Sequence, residues 1–129
     1  MERLKRIQFW GKDENDDRLV RQVLKGKKTA TVDILSDFHK SFGEYDDGSY
    51  EEGDIVEVYD LKQKLRCKIE ISEIYPAVFG DIPEKLWRGE GNLNEEEFRK
   101  DHISCWSNNN IDDNFELMAI HFKLVEKIE

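Results

Sequence analysis

Apolar residues recur with helical spacing near the start of the chain. A helix is predicted over about residues 15–25, with Asn15 or Asp16 as its N-cap and Gly26 as its stop. Its apolar face consists of Leu19, Val20, Val23 and Leu24. The pattern therefore predicts one short amphipathic helix that ends at a glycine.

A strand is predicted directly after this helix, over 29–34, where polar residues alternate with small or branched apolar ones. Because successive strand residues point to opposite faces, Thr29, Thr31 and Asp33 share one face, and the apolar residues between them share the other. One polar face of this strand is thus free to meet solvent or a ligand.

The rest of the chain alternates between strand patterns and short helix signals. Further strands are predicted over 55–59, 65–74 and 115–125, and short helices begin at Asp81 and at Asn94. The long acidic and aromatic connection over 36–53 has no periodic pattern, and connections of that length are often lids or binding loops.

Short helices between mostly alternating strands indicate an α+β fold built on a small, mostly antiparallel curled sheet or barrel. There is no internal repeat, low-complexity tract or Pro/Gly/Ser linker, and 129 residues is a common length for one domain. We therefore expect a single domain over residues 1–129.

Composition and charge limit the expected cellular location of the protein and the kinds of partner that it can bind. Two cysteines are too few for a disulfide framework, and no apolar run approaches the roughly 20 residues that span a bilayer, so we expect a cytoplasmic protein without a membrane partner. The net charge of −9 argues against a protein that coats a nucleic-acid duplex. Residues 1–31 nevertheless hold nine Lys or Arg against five Asp or Glu, so a small anionic ligand is compatible with that part.

Candidate chemical groups are few, and each has a plainer interpretation. The lysines at 25, 27 and 28 follow a helix, where cations are favoured by the helix dipole. His102 and Cys105 are three apart on a helix, but no second pair of ligands completes a metal site, so neither a metal nor a cofactor is expected. Glu90, between Gly89 and Gly91, is either an exposed turn or a carboxylate that a ligand can approach closely.

Aromatic residues lie in or near the irregular segments of the chain. Trp10, Tyr45, Tyr50 and Trp87 could stack on a base without a sequence-specific contact, although ordinary packing is the commoner role of any one of them. The sequence alone leaves both interpretations open.

The run from Leu24 to Thr31 resembles the Gly-x-Lys-x-x-Thr signature of the ASCH superfamily. Other features occur in the order that the superfamily has: Phe9-Trp10-Gly11 before the helix, Gly53-Asp54 before a strand, and Gly89-Glu90-Gly91 before a helix. The resemblance covers roughly residues 8–125. It implies a small PUA-like β-barrel of mixed, mostly antiparallel strands with flanking helices.

The resemblance also implies site residues. In the branch that hydrolyses N4-acetylcytidine, the motif lysine and threonine and a later glutamate are catalytic, and they correspond to Lys28, Thr31 and Glu90. Ligand contacts are then expected around them, from Trp10, Gly26, Lys27, Thr29 and Tyr50. Because residues three apart on a strand point to opposite faces, Lys28 can join Thr31 only if it lies in the turn before the strand.

Three functions follow as alternatives. The first is a metal-independent amidohydrolase with Thr31 as nucleophile, Lys28 as base and Glu90 as acid or base, acting on a small nucleoside. The second is a non-catalytic module that binds single-stranded RNA, with Lys27 and Lys28 on phosphate. The third is a metal-dependent ribonuclease. The amidohydrolase is the first hypothesis, because the acidic surface argues against the two functions that bind an RNA polymer. The oligomeric state is not predicted.

Overall fold

The computed structural model describes residues 3–9, 11–41, 43–106 and 111–128. Along those residues the strands are β1 (Lys5–Gln8), β2 (Ala30–Ile34), β3 (Ile55–Tyr59), β4 (Leu65–Val78) and β5 (Glu116–Lys127), and the helices are α1 (Arg18–Leu24), α2 (Glu84–Gly89) and α3 (Glu95–Cys105). In this part of the chain no helix is long and apolar enough to cross a membrane.

The five strands form one mixed sheet in the order β1-β3-β4-β5-β2. Only β1 and β3 run parallel, and the other three pairings are antiparallel. The long strands β4 and β5 curl the sheet into a half-barrel, with register shifts at Lys68/Ile69 and Ile71/Glu73. The predicted α+β, PUA-like fold is confirmed. The two edge strands, β1 and β2, bound the open side of the sheet.

Two apolar clusters hold the helices against the sheet. Val20 and Val23 of α1 pack with strand residues such as Ile69 and Phe122. Leu86 of α2 and Phe98 of α3 pack against the other end of the sheet, around Leu117. α1 therefore packs in one apolar cluster, and α2 and α3 pack in the other.

Local signals in the sequence predicted the end of α1 and the start of α3, whereas the N-cap of α1 is Asp17 and not Asn15 or Asp16. Gly26 adopts a φ of +75° after α1, and the Lys27 amide donates to the Gln22 carbonyl at 2.9 Å, as in a Schellman motif. The Asn94 side chain accepts from the Glu97 amide at 2.8 Å and caps α3. The prediction for α2 was less accurate, because Pro83 rather than Asp81 is its N-cap.

One strand was not predicted at all. β1 has the sequence KRIQ, in which only Ile7 is buried, so it carries no alternating pattern. It forms because it pairs in parallel with β3, a contact between segments about 50 residues apart. The predicted strand at 65–74 is also longer, reaching Val78, because β5 pairs with it to the end.

The long connection between β2 and β3 is anchored to β1. Its first residues form a short 3-10 helix, Leu35–Asp37. Further on, the Asp47 amide donates to the Arg6 carbonyl at 3.0 Å, and the Asp47 carboxylate accepts from the Arg6 amide at 2.7 Å. The connection thus runs beside an edge strand and closes part of the open side of the sheet.

Candidate active site

A cavity of about 620 Å³ lies on the open side of the half-barrel. Its walls come from β1 and the residue after it, from α1, from β2, from the long connection and from α3. Because β1 and β2 are the two sheet edges, the cavity occupies the gap that a closed barrel would fill. Such concave sites, lined by apolar surface and a few convergent polar groups, are typical of small-molecule pockets.

Lys28 enters this cavity from the turn before β2. The Schellman motif at the end of α1 turns the chain, so Lys28 precedes the strand instead of belonging to it. Its side chain is only 3% exposed, and Nζ donates to the Ala30 carbonyl at 2.7 Å. The ammonium also lies 5.4 Å from the centre of the Phe9 ring. The lysine side chain therefore extends from the turn along the first residue of β2. Lys28 thus has the position before the strand that a site shared with Thr31 requires.

Glu90 pairs with Lys28 inside the cavity. The two side chains form a hydrogen-bonded ion pair through Nζ and Oε1, and the Glu90 side chain is 7% exposed. The chain reaches this position because the end of α2 approaches β2 closely: the Thr29 amide donates to the Gly89 carbonyl at 2.6 Å. Gly91, with a φ of +89°, then turns the chain away toward α3.

Gly89 is a glycine because α2 packs closely against β2 at this point, and not because the backbone there has an unusual conformation. It is the last residue of α2, and a Cβ built on it would lie 2.7 Å from the Ala30 Cβ. We expect Gly89→Ala to lower the free energy of unfolding by about 1–3 kcal/mol, because α2 must move away from β2. Urea denaturation measures this effect, and an unfolding free energy within about 0.5 kcal/mol of wild type would contradict the close contact.

His102 is the third member of this cluster. Its Nε2 lies 2.7 Å from Glu90 Oε2, on the opposite oxygen from Lys28, and its Nδ1 lies 2.8 Å from the Phe98 carbonyl. The ring stacks on Phe98 with centroids 4.0 Å apart and leans on Trp106 at 4.9 Å. Four contacts thus fix the imidazole, whose side chain is 14% exposed.

The two cationic partners decide the charge of Glu90. Burial by itself raises the pKa of this carboxyl, but the charge of Lys28 and the hydrogen bond and charge of His102 outweigh burial and lower the pKa to about 2. Glu90 is therefore a carboxylate near neutral pH. It can hold and orient Lys28, but it has no proton to give to a leaving group.

Thr31 and Asp33 line the cavity side by side along β2. Both are half-buried and alternate with the buried Ala30 and Val32, as the strand pattern predicted. Burial raises the pKa of Asp33 to about 7, and the nearby carboxyl groups of Asp46 and Asp37 add to the increase. One end of the cavity therefore carries a carboxyl group, that of Asp33, which titrates near neutral pH.

The long connection adds a second carboxyl group at that end. The Tyr50 hydroxyl lies 2.6 Å from the Arg6 carbonyl and 2.9 Å from Asp46 Oδ1. Both oxygens accept from the single hydroxyl of Tyr50, which ties Asp46 to β1 through Arg6. Burial raises the pKa of the Asp46 carboxyl, and the hydrogen bond from Tyr50 opposes this increase.

The structure brings some of the predicted site residues together and leaves others outside. Lys28, Thr31, Glu90 and Tyr50 all line the cavity. Gly26, Lys27 and Thr29 are exposed and are not among its lining residues in the described part of the chain; Gly26 serves as the stop of α1. Trp10 lies outside the described residues.

Sequence reasoning missed His102, Asp33 and Asp46 as site residues. His102 was considered only with Cys105 as a metal pair, and the side chain of Cys105 lies outside the described part. The available signal was helical spacing: Phe98 and His102 are four apart, so the histidine stacks on a core residue of α3. Among residues 3–9, 11–41, 43–106 and 111–128, no group of three His, Cys, Asp or Glu side chains is placed to hold a metal ion.

The sequence model of the ASCH domain matches residues 5–126, nearly the whole chain. The chain belongs to the ASCH domain family. Lys28, Thr31 and Glu90, the residues that the resemblance implied, are among the lining residues of its cavity. No curated protein sequence matches this ASCH chain.

Solved structures share the fold of this ASCH protein at low sequence identity. EF3133 of Enterococcus faecalis has a TM-score of 0.73 and 18% identity, covering 95% of this chain and 77% of that one. An ASCH domain from Lactobacillus crispatus has a TM-score of 0.73 and 20% identity, covering 92% and 77%. A ZmASCH variant from Zymomonas mobilis has a TM-score of 0.53 and 11% identity, covering 95% and 73%. At these identities the likeness establishes the fold alone.

Proposed function

We propose that this ASCH protein is a metal-independent hydrolase that cleaves an amide on a modified nucleoside such as N4-acetylcytidine. One observation carries the proposal: a buried Lys28–Glu90 ion pair lies at a cavity that Thr31 also lines. Buried charged groups in a cleft are often functional, since a structural role alone is poorly served by the cost of desolvating them. The cavity volume of about 620 Å³ is within the usual range for small-molecule sites.

The proposed reaction uses Thr31 as nucleophile and Lys28 as the proton carrier. Lys28 first gives up one ammonium proton to solvent, and the free amine then takes the hydroxyl proton as Thr31 Oγ attacks the acyl carbon. The tetrahedral intermediate then breaks its C–N bond, Lys28 returns the proton to the leaving amine, and the acyl group stays on Thr31 as an ester. Water attacks the ester, giving up its proton through Lys28, and the carboxylic acid leaves as Thr31 is restored.

Glu90 has a narrower role in this scheme than the sequence suggested. With its pKa held near 2 it has no proton for the leaving amine and little basicity toward water. Its function would instead be to hold Lys28 beside β2, on one side of the cavity. The general acid and the general base are then the same residue, Lys28, acting in succession.

Loss of the Thr31 hydroxyl is expected to remove turnover without unfolding the protein. Thr31→Val keeps the shape of the side chain, so we expect the wild type to release cytidine from N4-acetylcytidine and the variant to be slower by at least about 1,000-fold. Lys28→Ala should lose activity to a similar extent. The assay follows cytidine by chromatography, with circular dichroism to check folding.

The matched control is Thr29→Val, which makes the same change at an exposed threonine outside the cavity lining. We expect its rate to stay within about twofold of wild type, as for an ordinary surface substitution. A Thr31→Val rate equal to wild type would exclude the nucleophile assigned here. No cytidine at high enzyme concentration would exclude this substrate.

Binding of single-stranded RNA without chemistry is the second candidate. Lys12 and Arg18 line the cavity and could meet a phosphate, although Lys27, the residue expected to do so, lies outside it. Such binding would weaken steeply with salt and yield no product. The cytoplasmic location remains an expectation that rests on composition.

A further inference from the structure

Asp33 presents its carboxyl group to the cavity beside the proposed nucleophile. It lies two residues beyond Thr31 on the same face of β2, and both residues are half-buried and line the cavity. Residues two apart on a strand are separated by about 7 Å, so one small planar molecule can contact both side chains. Within the described residues, no hydrogen bond or ion pair engages the Asp33 carboxyl group. Its two oxygens are therefore available to a ligand.

Asp46, the other carboxyl group at this end of the cavity, is held by the protein itself. Its Oδ1 lies 2.9 Å from the Tyr50 hydroxyl, which is also 2.6 Å from the Arg6 carbonyl. The charge of Asp46 therefore acts on Asp33 without occupying the hydrogen-bonding positions of that residue. Of the two carboxyl groups, Asp33 is the one that is open to a ligand.

The surroundings of Asp33 favour its acid form up to neutral pH. Burial has the largest effect, and the Asp46 carboxyl group of the long connection and the Asp37 carboxyl group of the 3-10 helix add to it, so the pKa is about 7. The pKa of the Tyr50 hydroxyl is itself raised, chiefly by burial, so this group stays uncharged over the same range.

Charged residues on the other walls of the cavity do not reverse this preference. Lys28 and His102 are both engaged by Glu90. The remaining charged residues of the lining are Lys12, Arg18, Glu97 and Asp101. Within the described part of the chain, only the two carboxyl groups of the long connection add to the effect of burial on the Asp33 pKa. Asp33 is therefore a carboxylic acid below about pH 7 and a carboxylate above it.

The two forms of a carboxyl group recognise different edges of a base. A carboxylic acid has one hydrogen to donate and an oxygen beside it that accepts, whereas a carboxylate can only accept. The pairing edge of cytosine, with or without an acyl group on N4, has an acceptor at N3 next to an N4 hydrogen. The acid can make two hydrogen bonds with this edge, and the carboxylate loses the bond to N3. Uracil carries a hydrogen on N3, which either form can accept.

We propose that Asp33 is the specificity-determining residue of this site: its carboxylic acid donates to N3 of a cytosine ring and accepts from the N4 hydrogen. The acyl group projects from the other side of N4, where Thr31, two residues back along β2, can reach its carbonyl carbon. The inference rests on the proposed function for the reaction at Thr31. Recognition of the base is a separate property, which binding alone can test.

The first test is the binding of cytidine, the product of the proposed reaction, by isothermal titration calorimetry at about pH 5.5 and about pH 8. The acid fraction of a group with a pKa of about 7 falls about tenfold over this interval, so we expect the cytidine affinity to fall about tenfold. Uridine affinity should change by less than about threefold, because its N3 hydrogen suits both forms. A cytidine affinity that does not vary with pH would overturn the inference.

Two variants separate recognition by Asp33 from any other effect of pH. Asp33→Asn keeps a donor and an acceptor at every pH, so its cytidine affinity should stay within about threefold between the two pH values. Asp33→Leu has neither, and it should bind cytidine at least about tenfold more weakly than wild type at the lower pH. The matched control is Asp81→Asn, at an exposed aspartate outside the cavity lining, which should keep the pH dependence of wild type.

The variants also define the results that would overturn the inference. A loss of affinity with rising pH that persists in Asp33→Asn would place the titrating group elsewhere. Wild-type affinity in Asp33→Leu, with circular dichroism showing a folded protein, would remove Asp33 from the site. Absence of cytidine binding by the wild type at the lower pH would exclude cytosine as the recognised base.

Failure of this inference is distinguishable from failure of the proposed function. Binding of cytidine with the expected pH dependence, but no release of cytidine from N4-acetylcytidine, would support recognition by Asp33 and refute the hydrolase. Turnover of N4-acetylcytidine with an unchanged KM in Asp33→Leu would support the hydrolase and overturn recognition by Asp33.

Discussion

Glu90→Ala is expected to lower the free energy of unfolding by about 3–5 kcal/mol at pH 7, more than any other single substitution considered for this protein. The side chain is 7% exposed and stands between two cations, Lys28 on one oxygen and His102 on the other. Removing it leaves both buried positive groups without a partner. The cost comes chiefly from those uncompensated charges and less from the lost pair itself.

Two variants test that explanation by urea denaturation. Glu84→Ala removes the same kind of side chain from α2, but Glu84 pairs with Arg88 on the surface, where both side chains are about two-thirds exposed, so the loss should stay below about 1 kcal/mol. In the double variant Lys28→Met with Glu90→Leu the buried pair is replaced by apolar groups, while His102 keeps the contact of its Nδ1 with the Phe98 carbonyl.

We expect the double variant to regain more than half of the stability that Glu90→Ala loses, while having no activity. A double variant as unstable as Glu90→Ala would show that packing around residue 90, and not charge, is what the fold requires. A small loss in Glu90→Ala would mean that water reaches Lys28 and His102, contrary to their burial. Each outcome can be read from the unfolding curves without a substrate.

Local chemistry explains what could be predicted from the sequence. The position of Lys28 follows from Gly26, since a glycine stop after α1 places the lysine in a turn before β2. Thr31 and Asp33 then share a face because strand residues alternate. These steps use neighbours in the chain only, so the motif and the face of β2 were open to sequence reasoning.

Long-range contacts explain which parts of the fold and of the site could not be predicted from the sequence. His102 meets Glu90 only because α3 packs beside the end of α2, and no spacing in the sequence encodes that contact. Asp46 reaches Asp33 because the long connection is anchored to β1, a strand whose own pattern is too weak to predict. The residues that set the charge state of the cavity are therefore those that tertiary structure alone brings together.

Asp33→Asn is expected to stabilise the protein, and by an amount that grows with pH. Burial first, and then the Asp46 and Asp37 carboxyl groups, raise the pKa of Asp33 from 3.8 to about 7 in the folded state. An acid whose pKa is raised on folding binds its proton more tightly in the folded state than in the unfolded state. Stability is therefore lost as pH rises from about 4 toward 7, and the full penalty of about 4 kcal/mol remains at higher pH.

The variant removes that penalty, because an asparagine of similar shape has no proton to lose. Its gain over wild type in urea denaturation should be small at pH 4, rise through pH 5–7 and level off above pH 7 at about 4 kcal/mol. Asp81→Asn, at an exposed aspartate that does not contribute to the raised pKa of Asp33, is the matched control and should change stability by less than about 0.5 kcal/mol at every pH. A gain that does not vary with pH would mean that Asp33 is already charged in the folded state at pH 4. The acidic end of the cavity would then present a fixed negative charge to a ligand, and not a carboxyl group that can either donate or accept a hydrogen.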